Sequence, residues 1–453
     1  MFSHACRPAH RGPLENPDLT SVSNAACAPT GDRLKVLIIA YACEPGRGSE
    51  PGTGWNMAMG LAALHEVTVA TRANNRAAIE RVLKDHRGPS PTFLYVDPPP
   101  WVLRLKKSGV LPVQVFYACW QWQLARVLRQ ADDGGYDILH QLTFNSFEVP
   151  PFAFLKSRAV KVWGPVGGGQ TVPLGLLAAF SRVGAVKEWL RNLRVKMSAV
   201  NPLCRKVLAQ CALVLFANDE TQRLLGSACG GETGLMIDVG VDVGKFAPAR
   251  NCEAQTKTTI LFAGRLAERK GALLVLEAFA LLAAKHCGLE LRIAGDGPQR
   301  RKLADYVCRQ GLGERVIFTG LIDHDEMSGE FARADIFAFP SLRDTSGAIV
   351  LEAMAMQLPV VCLDHQGAAI MVEAGCGLRV HAKTRRGLIA QLQIALERLV
   401  EQADLRQAMG IAARDHVAMA YDWQAKVKRV SDCYRRLTAP PPGLSTQPNC
   451  PEL

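Results

Sequence analysis

The chain has 453 residues, 48% of them apolar, with 53 Lys+Arg against 42 Asp+Glu for a net charge of +11. That length exceeds one typical core and predicts two domains, while the basic excess suits nucleic acid, an anionic membrane or a phosphorylated substrate without choosing among them. Fourteen cysteines with no C-x-x-C pair and no zinc-like His/Cys spacing argue against a disulfide framework or a structural zinc, and predict reduced thiols in a cytoplasmic protein.

Residues 1–33 lack the apolar run of a signal peptide and read as a disordered tail, as do residues 438–453. Between them, "LKVLIIAYA" (34–42) predicts a buried strand, "GWNMAMGLAALH" a helix and "EVTVATR" a second strand. The stretch 109–128 is the nearest thing to a membrane span. Pro112, Gln114, Gln121 and Gln123 interrupt it, and it falls short of roughly 18–20 apolar residues. "DILHQLTF" (137–144), "AVKVWGPVG" (159–167) and "ALVLFAN" (212–218) continue the strand series. Residues 180–206 carry seven Lys/Arg and one acidic residue, with Trp189, Leu190, Leu193, Val195 and Met197 interspersed. Such a basic amphipathic pattern fits either an anionic membrane surface or an ordinary solvated helix face.

After residue 258 the alternation restarts, from "TTILFAGR" through "LELRIAGDG", "RVIFTG" and "DIFAFPS" to "PVVCLD", with helical patterns between. Strict β/α alternation predicts parallel sheets covered on both faces, here two doubly wound α/β domains joined within 219–258. Ligands of such folds sit beyond the strand C-termini, in the crevice between the sheets. In "FAGRLAERKG" (262–271), Arg265 and Lys270 follow a strand and suit a pyrophosphate, one as a planar fork and one as a point charge. In "FPSLRDTSGAIVLEAM" (339–354), Gly347 and Ala348 open a helix whose N-terminal N–H groups and dipole attract an anion. Asp344 precedes that tip, and Glu352 follows about one turn into the helix. Together the two carboxylates can grip both ends of a nucleotide-sugar around its diphosphate.

The succession strand-GR-x4-KG, AGDGP, FTG and PS-x2-D-x7-EAMA-x3-PVV resembles glycosyltransferase family 4, of the two-Rossmann-domain GT-B fold. "CEPGRGSEPGTGW" (43–55) is similar to that family's glycine-rich loop, "DILHQ" to its histidine strand and "DVGVDVGKFAP" (238–248) to its interdomain segment. "WGPVGGG" (163–169) is similar to a bacterial exopolysaccharide-assembly branch. The resemblance spans about residues 34–437. It implies an acceptor domain at 34–225, a nucleotide-sugar donor domain at 226–420 and a crossover helix at 421–437.

The resemblance further implies a retaining hexosyltransferase that works without a metal or other cofactor. Arg265 and Lys270 would neutralise the leaving diphosphate, Glu352 would hold the ribose, and Asp344 would touch the donor sugar. His140 would face the reacting centre, and Gly52 and Gly54 would let backbone approach the substrates. The acceptor is expected to be a saccharide or lipid-linked saccharide at the inner face of the membrane. Asp344 stands where the family usually has Glu, so its carboxylate reaches about one C–C bond less. Gln357, Ile370 and Val239 are further departures, and none touches the diphosphate grip.

As residues alone, His140 also fits a satisfied core histidine, Asp344 a helix cap, and Gly52 and Gly54 relief of crowding in a turn. Glu50 fits a surface charge or an acceptor contact. Two other functions are compatible with the fold: a sugar-nucleotide epimerase and a non-catalytic nucleotide-sugar binder. Nucleic-acid binding lacks support, since the bases are dispersed and no recognition motif is present.

Overall fold

A computed structural model describes residues 33–130, 135–248, 257–323 and 326–439. The two expected tails lie outside these residues, apart from Arg33, Thr438 and Ala439. The first sheet has seven strands: β1 (Lys35–Ile39), β2 (Glu66–Thr71), β3 (Thr92–Tyr95), β4 (Ile138–Gln141), β5 (Val160–Val166), β6 (Leu213–Phe216) and β7 (Glu232–Leu235). They lie in the order β3-β2-β1-β4-β5-β6-β7, every pair parallel. Their central runs, such as "VLII" in β1, are buried because helices cover both faces of a parallel sheet.

The second sheet has six strands: β8 (Thr258–Ala263), β9 (Leu289–Ala294), β10 (Val316–Gly320), β11 (Ile336–Phe339), β12 (Val360–Leu363) and β13 (Gly377–Val380). Their order is β10-β9-β8-β11-β12-β13, again all parallel. The predicted pair of doubly wound α/β sheets is therefore the observed fold. Each sheet reverses its winding once, between β1 and β4 in the first and between β8 and β11 in the second. The loops leaving those four strands flank the natural ligand crevices.

The strands that the apolar runs do not announce are β3, β7 and β13, and all three are sheet edges. An edge strand is covered less completely and needs no continuous apolar run; three of the four β7 residues are exposed. A second difference concerns the glycine-rich stretch 43–55. Its later part is already helix, since Ser49–Ala62 forms one helix with Pro51 in the tolerant first turn.

The last helix, Trp423–Thr438, returns to the first sheet. Val427, Val430 and Tyr434 pack into the same apolar cluster as Val36, Ile38 and Met57. The Tyr434 hydroxyl reaches His140 Nδ1 at 2.5 Å, and His140 Nε2 lies 2.7 Å from the Gly164 carbonyl oxygen. Burial holds the His140 pKa down to about 4, and burial pushes that of Tyr434 up. A neutral imidazole fits both partners, with Nε2–H donating to Gly164 and Nδ1 accepting from the phenol.

Candidate active site

The loop after β8 carries Arg265 and then a short 3-10 turn, Glu268–Lys270. Gly271 closes that turn at φ 77°, where a Cβ would stand 2.3 Å from the Pro340 carbonyl oxygen. Only glycine combines that left-handed backbone with so close an approach. The tight turn presents Lys270 to the loop after β11, where its ammonium pairs with the Asp344 carboxylate. The ammonium also sits 5.2 Å from the centre of the Phe339 ring. Asp344 is fixed from behind, its backbone N–H donating to Gln366 Oε1 at 2.7 Å.

Three residues on, Gly347 adopts φ 89° and opens the helix Ala348–Ala355. A Cβ at 347 would lie 2.7 Å from the Phe339 ring, so the tip stays bare. Gly347, the cap residue, has no side chain to bond the helix's first N–H groups, of which that of Val350 donates to the Gly347 carbonyl oxygen at 3.0 Å; a helix tip of this kind suits an anion.

Lys270, Asp344, Gly347 and Ala348 line one cavity of about 600 Å³. Arg269, Arg191 and Arg194 add cationic side chains to it, and Glu50 and Asp238 add carboxyls. Arg191 donates to the Gln170 carbonyl oxygen at 2.7 Å and Arg269 to that of Arg343 at 3.2 Å. A guanidinium has five N–H donors, so each retains several for a bound anion. Burial, helped by neighbouring cations, lowers the pKa of both, Arg191 to about 10. Burial raises those of Glu50 and Asp238.

The opposite wall comes from the first sheet. Glu50, in the first turn of helix Ser49–Ala62, accepts a 2.7 Å hydrogen bond from the Asn145 backbone N–H. Asn145 leaves β4, and its side chain donates in turn to the Asp238 carboxylate. Ser346, from the second sheet, donates to the same carboxylate. Asp238 thus ties the β4 loop to the loop before helix Ala348–Ala355. Gln170 with Thr345, at 2.8 Å, and Arg343 with Glu188, at 2.8 and 3.0 Å, make the same crossing. The non-glycine residues Ser49 and Phe144 sit at φ 57° and 70° beside Glu50 and Asn145. Such strain persists only where the surroundings enforce it.

A second cavity, of about 330 Å³, adjoins the first along Ser49, Val239 and Ala348, which line both. Gly52 and Glu352 belong to its wall. The structure therefore brings Lys270, Asp344, Gly347 and Ala348 together in one chamber, with Glu352 and Gly52 in the next. Arg265 is exposed and outside both linings. Gly54 is also outside them: its missing Cβ would fall 2.2 Å from the Ala42 carbonyl oxygen, so it serves close packing. His140 is fully buried and lines neither chamber.

Sequence reasoning missed Asp238, Asn145, Arg191 and Arg269. Arg269 stood beside Lys270 in "ERKG" and was within reach of the same argument. The others meet only through contacts that span the chain.

Residues 257–399 match the family model described as Glycosyl transferases group 1, a stretch containing the whole second sheet. The chain is 30% identical over 178 residues to the alpha-D-kanosaminyltransferase of Streptomyces kanamyceticus, covering 39% of this chain and 45% of that protein. It is 27% identical over 291 residues to the GDP-mannose-dependent alpha-(1-6)-phosphatidylinositol monomannoside mannosyltransferase of Mycobacterium tuberculosis, covering 59% and 74%. The match thus spans less than half of the first relative and about three quarters of the second. Anabaena HepE, solved in complex with UDP, is similar in structure at a TM-score of 0.58 and 18% identity, covering 89% of this chain and 100% of that one. The architecture of two facing parallel sheets is the GT-B fold.

Proposed function

We propose that this protein is a retaining hexosyltransferase of the family 4 type. It takes a hexosyl group from a nucleotide-diphosphate sugar and passes it to a saccharide or lipid-linked saccharide acceptor. The product belongs to an exopolysaccharide or cell-surface glycan, assembled at the cytoplasmic face of the membrane. The observation that carries this reading is the juxtaposition of Lys270 with the uncapped helix tip at Gly347 and Ala348, beside Arg269.

When the glycosidic bond breaks, negative charge grows on the departing diphosphate. Fixed cations and a helix N-terminus stabilise that charge without reorganising. In this reading they supply what a divalent ion would otherwise give, with Arg265 closing on the phosphates from the loop. Glu352 holds the ribose from the adjoining chamber, and Asp344 touches the donor sugar. The acceptor oxygen attacks the anomeric carbon from the face that the diphosphate leaves, and the hydroxyl proton passes to a departing phosphate oxygen. The bond to the diphosphate breaks as the bond to the acceptor forms.

The burial of His140 and its two hydrogen bonds favour a positioning role, in which it anchors the last helix to β4 rather than meeting substrate. The test is a thermal-shift screen against a panel of sugar nucleotides and nucleoside diphosphates, since a ligand of the native state must raise its stability. At least one should raise Tm, and acceptor-dependent release of nucleoside diphosphate should follow. An epimeric sugar nucleotide as product would instead mark an epimerase. Binding without turnover on any polysaccharide acceptor would mark a non-catalytic binder.

A further inference from the structure

Residues 180–206 form the helix Arg182–Ala199 and, after a break, Pro202–Leu208. Asn192, Val195 and Ala199 are the buried side of the longer helix. Val183, Val186, Leu190, Leu193, Met197 and Val200 are each between 45% and 65% exposed. Their spacing alternates three and four residues, which gathers them into an arc of roughly 100° on the side away from the body. Trp189, half exposed, borders the stripe. A row this long and this apolar is not scattered surface hydrophobicity.

The charges around the row name its partner. Arg182, Lys187, Arg194 and Lys196 are exposed on the same helix, and Arg205 and Lys206 on the next. Glu188, the only acid within 180–206, is engaged by Arg343 in a two-pronged pair, and Arg194 pairs with Glu148 from the β4 loop at 3.0 Å, which leaves Arg182, Lys187, Lys196, Arg205 and Lys206 as the exposed bases around the row. A second copy of this helix would set bases against bases, whereas an anionic lipid surface complements both the bases and the apolar stripe. Among the described residues no helix is long and apolar enough to cross a membrane.

The position of the stripe also has a consequence for the acceptor. Leu190, Leu193, Arg194 and Met197 line a shallow pocket on the outer face of the helix, and Arg194 also lines the main cavity. One side chain therefore borders both the apolar surface and the polar chamber. Resting on the transferase reading, we propose that this helix lies in the surface of an anionic bilayer, with Leu190, Leu193 and Met197 in the acyl boundary, and that a membrane-embedded acceptor enters the chamber past Arg194.

The experiment is co-sedimentation of the full chain with vesicles of phosphatidylglycerol and phosphatidylethanolamine, and with vesicles of phosphatidylcholine alone. The wild-type protein should pellet with the first, release as salt rises, and stay in solution with the second. The triple variant Leu190→Gln/Leu193→Gln/Met197→Gln and the pair Lys187→Glu/Lys196→Glu should each lose roughly tenfold or more in partition. Because these side chains are exposed, both variants should keep the wild-type nucleoside diphosphate thermal shift, which shows that they are folded. Equal recovery on both vesicle types, unchanged partition of either variant, or a solution dimer that the triple variant dissociates would each overturn the proposal. A failure of the nucleoside diphosphate shift in the wild type would count against the transferase reading and leave the vesicle result readable.

Discussion

Lys270 and Asp344, 74 residues apart in the chain, form an ion pair between the loops that leave β8 and β11. Both side chains are largely shielded from solvent and line the cavity that the helix tip at Gly347 faces. The ammonium is matched by a carboxylate, and in the transferase reading a diphosphate would share it.

The pair separates binding from turnover. Lys270→Ala should lower turnover by roughly 10²–10³-fold, the scale for removing one preorganised donor to a developing anion, and Arg265→Ala should lower it as well. Asp344→Asn removes a negative charge beside the proposed phosphate site. It should bind nucleoside diphosphate at least as tightly as the wild type while turning over more slowly. Calorimetric titration with UDP and GDP, beside steady-state rates, reads both effects; weaker binding by Asp344→Asn would mean that the carboxylate only holds Lys270 in place.

Glu352, buried in the adjoining chamber, is predicted to act on the nucleotide rather than on the sugar. Glu352→Gln should weaken nucleoside diphosphate binding by about 1.5–3 kcal/mol, the range for a hydrogen bond to a charged group. Its preference among sugars on one nucleotide should stay as in the wild type. Competition assays with a nucleoside diphosphate and with several sugar nucleotides distinguish the two outcomes.

Much of the fold was legible because buried parallel strands announce themselves as apolar runs. The exceptions were the edge strands β3, β7 and β13, which lack full cover. Within the site, Lys270, Asp344, Gly347 and Ala348 could be read because they sit in two short segments with defined spacing. Asp238 could not. Its significance comes from Asn145 and Ser346, which lie 93 and 108 residues away. His140 illustrates the opposite case: a histidine at a strand end suggested chemistry, and only the positions of Tyr434 and Gly164 reveal a buried, hydrogen-bonded imidazole.

Gly54 tests packing against propensity. Alanine at a helical position is ordinarily favoured over glycine by about 1 kcal/mol. Here a Cβ would press 2.2 Å from the Ala42 carbonyl oxygen, backbone that cannot swing aside. Gly54→Ala should therefore lower Tm, and a raised Tm in thermal denaturation would show that the helix shifts at no cost.

The buried histidine gives the stability a pH dependence of known sign. Its pKa is about 4 in the folded chain and 6.5 in its absence, so the unfolded state binds the extra proton between those values. The contribution is complete above pH 6.5 and is lost as pH falls toward 4, up to about 3 kcal/mol. Urea midpoints across that window should drop more steeply for the wild type than for His140→Gln. Identical slopes would place the proton elsewhere.

The most direct test of the central claim is a crystal structure of the protein with UDP or GDP bound. Phosphate oxygens should lie within hydrogen-bond distance of Lys270 Nζ and of the backbone N–H groups at Gly347 and Ala348. A diphosphate seated away from both, with the Lys270–Asp344 pair undisturbed, would contradict it.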